Sequence, residues 1–348
     1  MIFYFCFFLL IFFYLIVSRY LWNKNSLESL IIPLIVSVLF AGLRGNVGTD
    51  TFAYKTFFNS LWSKDDLTSQ GLVFAFEPGF VLFSHIVKII FNNDQFFIFS
   101  ISCLYGFLFY KLLKRIEEKD LFFLLYISTY YVMFNLNLLR FGIAVMFLGL
   151  AYLSQNNKKR VFYFCLGLSF HFSVIFSIFF FVKRKYILRY VGFLILFLFF
   201  AINYVQSKLN SYFLDFLMSS SFKLELTIFL EIAVFYFLIR WNSVNLESNN
   251  FLYCIILYII FRWFGYLNDV ISRISYVFGF VVYLTLFKYR LNQKSRILIT
   301  FLILVYSYRS LSFIYNSDNS MDTLLFDASG MSSLYSQTKW LPYKFFWE

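Results

Sequence analysis

The sequence predicts an all-α chain threaded through a lipid bilayer as a polytopic transmembrane helical bundle of about 10–11 membrane helices. Three observations predict it. Hydrophobic residues make up 61% of the 348 positions and charged residues only 14%, against roughly half and a quarter in a soluble domain. Mean hydropathy is +0.73. The apolar residues are also grouped into long runs separated by short charged or Asn/Ser-rich patches, and roughly 20 such residues cross the ~30 Å hydrocarbon layer. The whole chain, 1–348, is therefore expected to form a single integral membrane domain.

Taken in order, the expected spans are 2–18, 27–43, 95–113, 121–136, 139–154, 161–182, 186–203, 223–240, 251–267, 274–290 and 296–313. The first lacks a basic leader and a small-residue cleavage site, so it is expected to be a retained helix rather than a signal peptide. The stretch 79–91 is short for a crossing and suits an interfacial or re-entrant helix inside a periplasmic loop, 44–94. Residues 161–182 have basic clusters at both ends, Lys158/Lys159/Arg160 and Lys183/Arg184/Lys185. A bend or re-entry near His171 keeps more Lys and Arg on the cytoplasmic side than a single crossing does. The segment 314–348 is expected as a periplasmic C-terminal tail.

Net charge is +12, but the basic residues lie between apolar runs, where cytoplasmic loops carry them. Nucleic acid is therefore not an expected partner. Cys6, Cys103, Cys165 and Cys254 all sit inside apolar runs without metal-like spacing. With two histidines in the chain, a His-rich metal site is excluded. The sequence contains no phosphate-binding Gly-rich loop, GxSxG or HExxH, so no metal and no cofactor is expected. The 54 Phe and 27 Tyr read first as the codon bias of an AT-rich genome, and composition does not show an aromatic-lined sugar cleft.

The polar residues that stand out gather on the predicted outer face. Arg44-Gly-Asn-Val-Gly-Thr-Asp50 leaves the second helix, with Tyr54 one turn on. Glu77-Pro78-Gly79-Phe80 puts a carboxylate immediately before the short helix. Arg140 starts an apolar helix, His171 lies in Phe-rich sequence, and Arg262, Asp269 and Arg273 surround one turn. Each also has a structural reading. Asp50 can neutralise Arg44, Arg140 or Arg273 can snorkel, His171 can be a satisfied core residue, and Arg262 can pair with Glu231. Together, several arginines on one side suit a phosphate or diphosphate, because the guanidinium stays charged and presents a bidentate fork.

In order, Arg44-x-x-x-Gly48-Thr-Asp50-x-x-x-Tyr54, Glu77-Pro78-Gly79-Phe80, Arg140-Phe-Gly-Ile-Ala144, Phe170-His171-Phe-Ser, Ser272-Arg273-Ile-Ser-Tyr276 and Leu341-Pro342-Tyr343 resemble the Wzy/EpsG-like polysaccharide polymerases. Phe141 stands where the usual third motif carries Gln. The resemblance implies a GT-C-like bundle in the bacterial inner membrane. It further implies a metal-independent glycosyltransferase that joins undecaprenyl-diphosphate-linked oligosaccharide units at the periplasmic face. Membrane lipid, a chain-length regulator and a flippase are the other implied partners. On that basis Asp50, Glu77 and His171 are expected to be catalytic, Arg44, Arg140 and Arg273 to bind diphosphate, and Tyr54, Arg262 and Asp269 to bind substrate. An O-antigen ligase-like transferase and a lipid-linked oligosaccharide flippase are the rival readings.

Overall fold

Asparagine side chains start several of the helices, because an Asn oxygen accepts the amide hydrogens that a first helical turn leaves without partners. Asn93 accepts from the Gln95 and Phe96 amides and opens Asp94–Leu113. Asn156 does the same for Lys158 and Lys159 ahead of Asn157–Phe170, and Asn292 accepts from the Ser295 amide at the start of the last long helix. The computed structural model describes residues 2–22, 27–48, 50–61, 76–181, 226–241, 249–264 and 269–324. Every regular element among them is helical.

The chain divides into two units, one of Met1–Phe172 with Phe287–Glu348 and one of Ser173–Leu286. The first unit contains α1 (Ile2–Trp22), α2 (Ile31–Gly42), α3 (Thr51–Ser60), α4 (Pro78–Phe91), α5 (Asp94–Leu113), α6 (Lys119–Thr129), α7 (Tyr131–Asn135), α8 (Leu139–Tyr152) and α9 (Asn157–Phe170). The second contains a 3-10 helix (Phe172–Phe180), α10 (Leu226–Trp241), α11 (Asn249–Phe264) and α12 (Asp269–Phe287). The chain then returns to the first unit as α13 (Gln293–Leu324).

Helix α8 is the core of the first unit, buried without interruption from Phe141 to Ala151. It packs between α9 and α5, while α2 lies on α5 and α6 on α13. Gly142 permits this closeness, since a Cβ there would collide with Phe134 and Tyr105. The unit is polarised end to end. Twenty residues of α5 span about 30 Å between two sets of loops. At one end the Glu117 and Glu118 amides donate to the Phe287 carbonyl, and Arg115 donates to the Leu150 carbonyl. At the other, α2, α3, α4 and the α7–α8 turn converge.

Among the described residues two helices, Asp94–Leu113 and Gln293–Tyr315, are long and apolar enough to cross a membrane. Shorter apolar helices accompany them at Ile2–Ser18, Glu28–Gly42, Pro78–Phe91, Leu139–Tyr152, Cys254–Trp263 and Ser272–Phe287. Large apolar side chains such as Phe13, Ile89 and Tyr308 are more than two-thirds exposed, an exterior consistent with a membrane protein.

The structure departs from expectation at four places. The expected span 121–136 is broken at Tyr130, whose φ of −108° leaves the helical run, and it resumes as α7. The loop 44–94 carries a ten-residue helix, α3, whose weak apolar bias hid it. The element expected at 161–182 begins earlier, at Asn157; it divides at His171, the position of the expected bend, where φ is an extended −162° between α9 and the 3-10 helix. Helix α13 runs on to Leu324, so the expected tail from 314 begins as helix. The expected span 186–203 and the Leu341-Pro342-Tyr343 motif lie outside the described residues.

Candidate active site

The Glu77-Pro78-Gly79-Phe80 run builds one wall of the site. Glu77 is extended (φ −70°, ψ 147°) and its carbonyl accepts the Phe80 and Val81 amides, so α4 begins directly behind it. Pro78 occupies the first helical position, where its missing N–H costs nothing. Gly79 lets α4 press against Ser169 near the end of α9, because any Cβ there would collide with Ser169 backbone and side chain. Phe80 is fully buried among Tyr54, Phe57, Phe76 and Phe97. Helix α4 is thereby locked with the Glu77 carboxylate facing the start of α8.

Arg140, on the first turn of α8, meets that carboxylate through Nη1 to Oε2. The other oxygen, Oε1, lies 4.0 Å from His171 Nε2. Glu77 is 8% exposed, and burying a carboxylate costs several kcal/mol unless a cation accompanies it. Arg140 supplies the cation. Its guanidinium lies over the Phe76 ring, 4.4 Å from the centroid, with the Phe80 and Tyr54 rings at 5.7 and 5.9 Å. Aromatic faces attract a guanidinium, so these rings hold it beside Glu77. His171 is fixed from its far side by Phe141, edge to face at 5.2 Å. Phe141, the position that departs from the usual motif, therefore packs on the candidate catalytic histidine.

Arg44 and Asp50 organise the neighbouring loop. Arg44 is fully enclosed at 0% exposure, and its Nη1 donates to the Ala41 and Asn135 carbonyls at 2.8 and 2.7 Å. Nη2 reaches Thr51 Oγ1 at 3.4 Å, and that hydroxyl donates to the Val47 carbonyl at 2.6 Å. The Asp50 amide donates to Asn137 Oδ1 at 3.1 Å. Gly48 sits at φ +94°, a conformation glycine adopts without strain, and a Cβ there would strike the Leu136 carbonyl. The Arg44–Asp50 loop is thus clamped onto the α7–α8 turn from which Arg140 projects.

Several contributors carried no motif. Gln95 Nε2 donates to the Gly42 and Arg44 carbonyls, and its Oε1 accepts from Lys55 Nζ at 3.0 Å. Asn135 accepts the Tyr126 phenol. Burial pushes the Lys55 ammonium down, with Asp94 opposing and Arg44 adding to the effect. Isolated polar residues of this kind show their part only through backbone groups that other helices bring to them.

The structure thus brings Glu77, Arg140, His171 and Tyr54 together in the first unit and places Arg44 and Asp50 in the adjoining loop. The remaining candidates belong to the second unit. There Glu231, 1% exposed, accepts the Tyr258 hydroxyl at 2.9 Å and lies 3.9 Å from Arg262 Nε. Asp269 opens α12 and Arg273 lies one turn along it, half-buried. No group of three or more His, Cys, Asp or Glu able to hold a metal occurs among the described residues.

Comparison with curated proteins and with solved structures returned no match. The model of the EpsG family matches residues 27–345, a stretch that takes in the Arg44 loop, Glu77, Arg140, His171 and the second-unit arginines, and the chain belongs to the EpsG family.

Proposed function

We propose that this protein is a polysaccharide polymerase that joins oligosaccharide repeat units carried on undecaprenyl diphosphate, making O-antigen, capsule or exopolysaccharide. Membership in the EpsG family points to polymerase-type function. The observation that carries the chemical reading is the buried Arg140–Glu77–His171 cluster. In this reading the apolar helices form a GT-C-like bundle of about ten or eleven crossings in the bacterial inner membrane. The basic loops at 111–119, 158–160 and 288–296 lie toward the cytoplasm. The cluster, at the other end of the first unit, then faces the periplasm, where lipid-linked units would be joined.

The reaction needs an acceptor hydroxyl to lose its proton as its oxygen attacks the anomeric carbon. The bond from that carbon to the diphosphate breaks, and its electron pair leaves with the lipid diphosphate. Glu77 is the proposed base, paired with Arg140, with His171 placed at its second oxygen to take the proton onward. Arg140 is the proposed diphosphate ligand of the first unit, since its guanidinium is partly open where that of Arg44 is enclosed. A fixed cation at the leaving group stabilises charge as it develops and needs no metal. Arg44 and Asp50 support the turn that carries Arg140, and Tyr54 shapes its pocket. Arg262, Asp269 and Arg273 are proposed as substrate- and diphosphate-binding residues of the second unit. Lipid-linked oligosaccharides, membrane lipid, a chain-length regulator and a flippase are the proposed partners.

The test is a gel profile of surface polysaccharide from a strain deleted for this gene. The reading expects the long ladder to collapse to core bearing a single repeat unit. Loss of even that single unit would move the lost step to ligation, export or unit assembly and overturn the polymerase assignment.

A further inference from the structure

At the basic end of the first unit a cleft of about 780 Å³ opens beside α13. Arg290 and Arg296 line it where the chain enters α13, together with Leu121, Ile297, Phe301 and Leu304. Arg290 is exposed and forms no ion pair with a described residue. Arg296 is fixed by Glu118, whose Oε1 accepts from Nη2 at 2.6 Å and Nε at 3.2 Å. The same oxygen accepts the Leu291 amide at 3.0 Å, and the Glu117 and Glu118 amides tie the segment to the Phe287 carbonyl. Glu118 therefore positions the Arg296 guanidinium before any ligand arrives, which lowers the ordering cost of binding. Glu117, Glu118 and Asp120 on the packed segment stand against Lys119, Lys288, Arg290, Lys294 and Arg296, so this end is net positive. Beyond these charges Ile297, Phe301 and Leu304, 65%, 51% and 55% exposed, form one continuous stripe at i, i+4 and i+7.

We infer that this cleft binds an acidic phospholipid, its phosphate on Arg290 and Arg296 and an acyl chain along Ile297, Phe301 and Leu304. The two halves of the site match the two halves of the ligand. Guanidinium forks suit a phosphate, and the apolar stripe leading away from them suits a chain and has no use for a soluble anion. Basic pockets beside membrane helices on the cytoplasmic side recognise anionic headgroups in this way. The inference rests on the membrane placement in the proposed function but not on the reaction.

Native mass spectrometry of the full chain in detergent, with phosphatidylglycerol or phosphatidylcholine added, tests it. The wild type is expected to retain phosphatidylglycerol preferentially, and Arg290→Gln to lower that retention about fivefold. Lys159→Gln, an equal loss of charge at an exposed lysine of the same end, is expected to change nothing. Leu304→Gln is expected to weaken long-chain but not dihexanoyl phosphatidylglycerol. An equal drop for Arg290→Gln and Lys159→Gln would mean diffuse attraction and overturn the site. Displacement of the lipid by equimolar inorganic phosphate would overturn the lipid occupant. The polysaccharide ladder is read separately, so failure of lipid binding is distinguishable from failure of the polymerase reading.

Discussion

At the site end of the first unit Arg44 and Glu77 are buried and Arg140 is largely enclosed, each held by a partner distant in the sequence. At the basic end Lys114, Lys158, Lys159, Lys288, Arg290 and Lys294 face outward. Of the arginines that bond there, Arg115 and Arg160 take backbone carbonyls at nearby helix ends, and Arg296 pairs with the buried Glu118 carboxylate. Outward cations are cheap and suit a surface lined with headgroups. A buried pair costs several kcal/mol in desolvation that its own attraction barely offsets. Both ends hold such a pair, but Glu118 also accepts the Leu291 amide and so ties a loop, whereas Glu77 has the His171 imidazole 4.0 Å from its second oxygen. A carboxylate set beside a proton carrier marks where chemistry is expected.

Substitutions at the two ends sharpen that contrast. The largest effect is expected from Arg140→Ala, which leaves the Glu77 carboxylate buried without its cation. Stability should fall by about 3–5 kcal/mol and polymer should disappear, as read by thermal unfolding in detergent and a polysaccharide gel. Arg140→Lys keeps the charge but loses the fork, so membrane protein level should hold while polymer falls at least about tenfold. Gly48→Ala comes next. It forces a Cβ into the Leu136 carbonyl at φ +94°, and a loss of about 1–3 kcal/mol is expected, visible as a lower unfolding temperature.

At the basic end Glu118→Gln removes the charge that holds Arg296, and a loss of about 1–3 kcal/mol in detergent unfolding is expected. Polymer length should stay normal, because this pair lies away from the reacting groups; a shortened ladder would erase the contrast. The smallest effect concerns Lys55. Burial lowers its pKa, so the unfolded chain holds the proton to higher pH than the folded one. Stability therefore rises as pH climbs through the folded-state value toward 10.5. Lys55→Met should lack that alkaline rise relative to wild type in unfolding measured across pH.

Helix positions were legible because apolar runs of helical length leave a lipid-facing chain few alternatives. The division at His171 was legible too, from basic clusters on both sides of one apolar run. The break at Tyr130 was not, since 121–136 reads as one largely apolar run in which Ser128-Thr129 is only a weak stop signal. Sequence marked Arg44 as a charge needing a partner, but its partner is the carbonyl of Asn135, 91 positions away, and carbonyls have no sequence signature. Glu77, Arg140 and His171 were each singled out, yet their meeting depends on Gly79 against Ser169 and on Phe76 and Phe80 beneath the guanidinium. Phe141 read as a departure from the usual Gln, and in the fold its ring packs on His171.

The account turns on Glu77, and the most direct measurement is the polysaccharide ladder of a deletion strain complemented with Glu77→Gln. The variant keeps the shape of the side chain and one acceptor oxygen, and replaces the charge and the second oxygen with a neutral amide donor. The account predicts membrane protein at near wild-type level with polysaccharide arrested at a single repeat unit. A full-length ladder from Glu77→Gln at that protein level would contradict it.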